Sequence, residues 1–304
     1  MLNRSFKAKQ LVILSGKGGT GKTSLSAAFA FLTRKSQIPA LVVDADVDAA
    51  NLSLILTPEK TEGHEFWGGS IAQIDSQRCI ACGDCERVCR YDAVVPGFED
   101  GGVFSIDPIA CDGCAACVFA CSQDAIQMVQ QQEGYWFHSQ TQIGELFHAE
   151  LFPGRENSGK LVTLIKQQAR LRAEDTETPL LLVDGPPGIG CPVISACAGA
   201  DASLVVTEPS QAGLHDLKRI MATLQHFRIP AVICINKADI YPEGAQQIRA
   251  YAEDQGVEVV GVIPFDESIP NAMVMGKPVN EAFPKSPAAN AIKEIWNNTI
   301  LRWG

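Results

Sequence analysis

Two stretches of the chain combine residue types and spacings that can do chemistry. "SGKGGTGKTS" fits the pattern G-x-x-x-x-G-K-[ST], with Gly16, Gly21, Lys22 and Thr23 at the fixed positions. Glycines allow the backbone to curl so that successive N–H groups point at phosphate oxygens, and the start of a following helix adds its positive dipole end. Lys22 would reach the β- and γ-phosphates, and the Thr23 hydroxyl would ligate Mg2+. The second stretch is "CIACGDCERVC", Cys79, Cys82, Cys85 and Cys89 in C-x2-C-x2-C-x3-C spacing, which returns as Cys111, Cys114, Cys117 and Cys121. The repeat is a duplication offset by 32 residues, since "CRYDAV" at Cys89 reappears as "CSQDAI" at Cys121. Eight thiols in two matched runs, in a chain with no export signal, favour metal ligation over disulfides. Structural zinc is the alternative, but zinc sites usually pair two C-x2-C hooks across a longer gap.

These residues need elements to hold them. "QLVIL" reads as a strand before the phosphate loop, and the Ala-, Leu- and Phe-rich segment after it as a helix. "ALVVDADVD" and "LLLVDGPPGIG" read as buried strands ending in carboxylates, Asp46 and Asp184. Asp44 and Asp48 are weaker candidates, because acids after a strand often cap the next helix. "AVICINKAD" ends a third strand in Asn236, Lys237 and Asp239, a pattern that GTPases use to read guanine. Strands alternating with helices predict an α/β fold with a parallel sheet. Ala81, Gly83, Gly113 and Ala115, small residues between the thiols, let backbone N–H groups approach the sulfurs. Cys197 and Cys234 read as core, and a small buried residue is one of two readings of Cys191.

With the additional Lys17, "GKGGTGKTS" resembles the deviant P-loop ATPases, the group of septum-positioning and plasmid-partitioning ATPases, Mrp-type cluster carriers and the nitrogenase iron protein. The resemblance covers nearly the whole chain and implies a doubly wound, mostly parallel P-loop NTPase working as an ATP-dependent homodimer. It places Gly16, Lys17, Gly18, Gly19, Thr20, Gly21, Lys22, Thr23 and Ser24 on the phosphates. Lys17, often across the dimer interface, Lys22 and Asp46 carry the catalysis, and Thr23, Asp46 and Asp184 serve the Mg2+. Asn236, Lys237, Asp239 and Pro264 take the base, with ATP favoured over GTP, and Gly185 to Gly190 form a switch loop. The cysteine runs resemble a bacterial two-cluster ferredoxin, in which the fourth cysteine of each run serves the other cluster. That resemblance implies one [4Fe-4S] cluster on Cys79, Cys82, Cys85 and Cys121 and a second on Cys111, Cys114, Cys117 and Cys89. Ferredoxins usually carry Pro after the fourth cysteine, where Arg90 and Ser122 stand here. Cys191 lies seven residues past Asp184, as a cluster-bridging cysteine does in the nitrogenase iron protein, whereas Asn157 sits near the place of that protein's other one.

The order of motifs predicts a P-loop ATPase domain (1–75), an inserted 2[4Fe-4S] ferredoxin domain (76–129) and the remainder of the ATPase domain (130–304). The function expected is ATP hydrolysis coupled to electron transfer through two clusters to a partner protein. The alternative is an ATP-dependent carrier or assembly factor handing clusters to an acceptor protein, and spatial positioning is a third reading. A formal net charge of -10 argues against a sequence-independent grip on nucleic acid. No apolar run is long enough to cross a bilayer and no signal-peptide core precedes the phosphate loop, so a cytoplasmic protein is expected. Ile292, Ile295, Trp296, Thr299, Ile300 and Trp303 share one face of a terminal helix that carries only Lys293 and Arg302 as basic residues, which favours packing on the sheet over membrane binding.

Overall fold

The computed structural model describes residues 6–97, 102–155 and 157–303. β1 (Lys9–Ser15) leads into α1 (Lys22–Lys35), β2 (Ala40–Asp44), α2 (Leu52–Leu56) and the long β3 (Lys60–Ile74). The cysteine-bearing segment supplies α3 (Asp84–Val88), β4 (Val94–Val95), β5 (Ser105–Ile106) and α4 (Ala116–Ala120), followed by the long β6 (Ile126–Gln140) and β7 (Glu145–Leu151). Helix and strand then alternate through α5 (Ser158–Asp175), β8 (Leu180–Pro187), α6 (Cys191–Cys197), β9 (Ala202–Thr207), α7 (Gln211–His226), β10 (Ala231–Asn236), α8 (Pro242–Asp254) and β11 (Val259–Ile263). α9 (Ser268–Val274), α10 (Val279–Ala282) and α11 (Pro287–Trp303) complete the chain.

Among the described residues nine strands form one sheet in the order β11-β10-β9-β1-β8-β2-β7-β6-β3. The pairs from β11 through β7 are parallel. β1 lies between β8 and β9, with Leu11 level with both Leu182 and Ala202. The strand that delivers the phosphate loop is thus flanked on both edges, and in such sheets ligands bind beyond the carboxyl ends of the strands. Near-continuous apolar runs such as "LVIL" suit strands covered on both faces. Leu11 and Ile13 turn into the core that holds Phe29 of α1 and Ile292 and Ile295 of α11. Val12 and Leu14, on the opposite face, are also fully buried.

The terminal helix packs as its spacing predicts. Ile292, Ile295, Trp296 and Thr299 are buried, and the Trp296 ring meets Phe29 edge to face at 5.1 Å. A Cβ at Gly261 of β11 would come within 2.4 Å of Ile295 Cγ1, so the glycine lets helix and strand approach closely. The side chain of Trp303 lies outside the described residues.

The chain divides into two compact units, one of residues up to His64, Tyr135–Glu150 and from Ser158 onward, the other of Glu65–Gly134 and Leu151–Asn157. The second contains the whole 76–129 segment. Its small core is Ala72, Cys85, Val94, Cys117 and Ile126, with Phe104, Met128 and further cysteines packed around them. Cysteines occupy positions where a larger domain would place Leu or Val, and so small a core falls short of what an isolated module of this size needs without staples.

Candidate nucleotide and thiol sites

The phosphate loop has the shape its glycines allow. Gly19 and Gly21 have φ of 76° and 95°, and a Cβ at Gly21 would come 2.4 Å from Asn236 Nδ2. Gly16 has no room for a side chain, since a Cβ would meet the Asp216 backbone at 2.7 Å. Beyond the loop an open cleft of about 700 Å³ runs from Gly18, Gly19, Gly21, Lys22, Thr23 and Ser24 to Pro264 and Phe265. Its far wall is apolar: Phe265, Ile269, Pro270 and Met273. A purine ring suits such a wall.

Lys22 is 5% exposed at the cleft floor, among carboxylates. Asp46 lines the cleft; burial raises its pKa to about 6 against the opposing charge of Lys22. Asp184 is 1% exposed, and its Oδ1 accepts a 2.8 Å hydrogen bond from Ser26 Oγ. Burial raises its pKa, countered by Lys22 and by the hydroxyls of Ser26 and Thr23. Its Oδ2 is buried without a hydrogen-bond partner. An orphaned buried carboxylate oxygen next to Thr23 fits an Mg2+ ion or one of its waters. Asp44 is spent on structure: its oxygens accept Asp46 N–H at 3.2 Å and Leu52 N–H, at the start of α2, at 2.9 Å. Asp48 lines the cleft.

Three sequence-predicted residues have partners that the sequence alone did not reveal. Asn236 lines the cleft as expected; it also donates from Nδ2 to Thr20 O at 2.8 Å and accepts Lys237 N–H at 2.9 Å, bracing the phosphate loop. Asp239 accepts Phe265 N–H at 2.6 Å and does not line the cleft, so it holds the base-side loop. Lys17 does not line the cleft either; its ammonium lies 3.0 Å from Glu208, which also accepts from Lys237 Nζ at 2.6 Å. The segment expected as a switch loop from Gly185 is strand as far as Pro187, because β8 stays paired with β1 to Ser15↔Pro187. The turn is confined to Gly188–Gly190, with Gly188 N–H bonded to Ser15 O at 3.0 Å. Cys191, one of whose two readings was a small buried residue, is exposed at the start of α6. Cys197 and Cys234 are buried, their thiols pushed up to about 11 and about 12 by burial. Sequence reasoning missed Glu208 and Ser26; in the sequence Glu208 had the same signal as Asp184, an acid directly after an apolar run.

In the second unit the 32-residue duplication is carried by the backbone. Ala81 and Gly113, Gly83 and Ala115, and Asp92 and Asp124 all have positive φ, so among the described residues each left-handed position in one half has its counterpart in the other. Asp75 and Asp107 each accept the N–H two residues on, from Gln77 at 2.9 Å and Ile109 at 2.8 Å. Holding alanine left-handed costs roughly 1–2 kcal/mol, and both halves bear that cost once, on opposite members of the pair. Cys79, Cys82, Cys85 and Cys121 line one cavity together with Ile74, Phe104 and Ile126. Cys111, Cys117 and Cys89 belong to the surrounding core, and Cys114 is exposed. Among the described residues no three His, Cys, Asp or Glu side chains converge as ligands of a single metal ion.

Residues 11–279 match the model of the CobQ/CobB/MinD/ParA nucleotide binding domain. An uncharacterized protein of Methanocaldococcus jannaschii is 33% identical over 288 residues, 94% of this chain and 95% of that one. A protein of Pyrococcus abyssi named iron-sulfur cluster carrier protein is 23% identical over 300 residues, covering 94% and 83%. Among solved structures, the septum site-determining protein MinD of Pyrococcus horikoshii, complexed with Mg-ADP, superposes with a TM-score of 0.61 at 18% identity, covering 98% of each chain. This likeness is one of fold, an α/β P-loop NTPase with a mostly parallel sheet. The chain belongs to the CobQ/CobB/MinD/ParA family of nucleotide-binding proteins.

Proposed function

We propose that the protein is a P-loop ATPase that carries or assembles iron–sulfur clusters for an acceptor protein, its Glu65–Gly134 unit being a two-cluster ferredoxin-like module. The observation that carries this reading is the cavity lined by Cys79, Cys82, Cys85 and Cys121, because three thiols of one run and the fourth of the other share it. A multi-iron cluster needs thiolates spread around it, whereas a single ion needs them to converge. The cluster-carrier names of relatives such as that of Pyrococcus abyssi favour the carrier role. Cys79, Cys82, Cys85 and Cys121 would hold one [4Fe-4S] cluster and Cys111, Cys114, Cys117 and Cys89 the other; such clusters supply one-electron chemistry.

At the nucleotide site Lys22 neutralises phosphate charge, and Thr23 and the free oxygen of Asp184 serve Mg2+. Asp46, ionised above its pKa of about 6, accepts a hydrogen bond from the attacking water. Catalysis here is positioning and electrostatics. The working form is a homodimer in the cytoplasm, and no nucleic acid takes part. Among the described residues no helix is long and apolar enough to cross a membrane. A second reading, ATP-gated electron transfer to a redox partner, rests on the same cavity, since a cluster held by four thiols could also pass electrons without leaving its site.

The deciding experiment is anaerobic. The cluster-loaded protein is mixed with an apo-acceptor, with and without MgATP, and iron is followed on both by EPR, alongside the Lys22→Ala variant. Transfer that depends on MgATP and Lys22 is expected. Retention of all iron with a nucleotide-dependent shift in cluster potential would replace the carrier role with electron transfer.

A further inference from the structure

Glu208 follows β9 directly, and both of its carboxylate oxygens are engaged. Oε2 is 3.0 Å from the Lys17 ammonium and Oε1 is 2.6 Å from that of Lys237. Its side chain is 17% exposed, against 36% for Lys17 and 35% for Lys237, so the carboxylate is the least hydrated of the three. Burial pushes its pKa up, but Lys237 and Lys17 together bring it below the usual carboxylate range. It is therefore a fixed negative charge near neutral pH.

That charge stands between two segments that shape the nucleotide cleft. Lys17 belongs to the phosphate loop, and the carbonyl of Lys17 accepts the Ser15 hydroxyl at 2.6 Å. Lys237 lines the cleft and has a left-handed backbone, φ 54°, following Asn236, which braces Thr20. The cleft lining itself is short of positive charge: Asp46, Asp48 and Asp266 face Lys22 and Lys237. A polyphosphate entering it needs cations, and Lys237 of the lining and Lys17 of the phosphate loop are both already paired with Glu208. An ammonium group shared between a carboxylate and a phosphate also brings two like charges together, which is unfavourable in a partly desolvated site.

Resting on the nucleotide-binding reading of this cleft, we propose that Glu208 is a latch: its carboxylate competes with nucleotide phosphates for the ammonium groups of Lys17 and Lys237. Entry of a triphosphate draws the lysines off Glu208 and so frees the phosphate loop from the turn after β10. The latch sets a threshold, since a ligand with little charge cannot open it.

The test is calorimetry of adenosine, MgADP and a non-hydrolysable Mg-ATP analogue binding to the unmutated chain, Glu208→Gln and Glu208→Asp. The Gln variant should bind the ATP analogue ~5–10-fold more tightly, as expected for removing a competing, partly buried charge. The gain should be smaller for ADP and absent for adenosine, and Asp should restore the unmutated affinities. A purely structural role for Glu208 would alter all three ligands alike or weaken them, and either result overturns the latch. Should the Gln variant fail to fold, 15N NMR of the lysine Nζ groups in the unmutated chain decides. The Lys17 and Lys237 signals must shift when the ATP analogue is added, and unchanged signals refute the proposal. If the unmutated chain binds no nucleotide, the reading of the cleft itself falls; if it binds and the Gln variant gains nothing, the latch alone falls.

Discussion

Asp46 should weaken the nucleotide-free protein at the pH where it works, and replacing it should show by how much. Burial raises its pKa from 3.8 to about 6 despite the nearby Lys22. A carboxyl whose folded pKa lies above its unfolded value stabilises the fold while protonated. That stabilisation is complete below about pH 4 and is lost as pH rises through about 6. The shift corresponds to about 3 kcal/mol at most. Because Asp46 faces an open cleft, solvent screening brings the figure nearer ~1–2 kcal/mol. The nucleotide-free Asp46→Asn variant should therefore be ~1–2 kcal/mol more stable than the unmutated chain at pH 8 and indistinguishable from it at pH 3.5. Urea unfolding followed by circular dichroism at both pH values measures the difference, and the slope with denaturant should not change. The same variant should lose ATP hydrolysis. A neutral or destabilising effect at pH 8, or an equal gain at both pH values, would refute the argument that this carboxylate is held ionised against its environment.

Four further outcomes are expected. Lys22→Ala should weaken ATP-analogue binding at least ~10-fold, because it removes the cation at the cleft floor, and calorimetry reads this directly. Gly16→Ala should destabilise the fold by about 1–3 kcal/mol, since its methyl group would sit 2.7 Å from the Asp216 backbone, and the loss is read in a melting curve. His148 is buried with its pKa lowered to about 4, so its contribution is intact above about 6.5 and lost as pH falls towards 4; His148→Phe should flatten that part of the stability profile. Iron analysis of reconstituted protein tests the thiol sets. Cys121→Ser with Cys82→Ser should lose no more iron than Cys121→Ser alone, since both line one cavity, whereas Cys121→Ser with Cys114→Ser should lose more.

The nucleotide half of the molecule was legible because its signals are local. A glycine that must take a left-handed turn, or an acid that follows an apolar run, has its reason within a few residues: Gly21 and Asp46 line the cleft, and Asp184 is buried within reach of the Lys22 charge. The terminal helix was legible from the spacing of Ile292, Ile295 and Trp296. What the sequence did not disclose depends on long-range partners. Lys17 was read towards phosphate, but its partner Glu208 is 191 residues away and follows an unrelated strand. Asp239 sits in a base-reading pattern, yet the Phe265 amide claims it. The length of β8 past Asp184 was hidden by its two prolines and its glycine, residues that usually end a strand. In the thiol unit the duplication was visible as spacing, but not that it would reappear as left-handed residues at matched positions.

The sheet order also fixes a timetable for synthesis. β1 carries the phosphate loop and is made first, yet its two neighbours are β8 and β9, which end at Pro187 and Thr207. All residues of the thiol segment up to Gly134 are polymerised before either neighbour exists. At ribosomal speeds of ~5–20 residues per second, the centre of the sheet waits on the order of ten seconds after that segment has been made. The cysteines are therefore translated into a chain whose nucleotide site cannot yet close, and the thiol unit can make its own contacts before the nucleotide cleft exists.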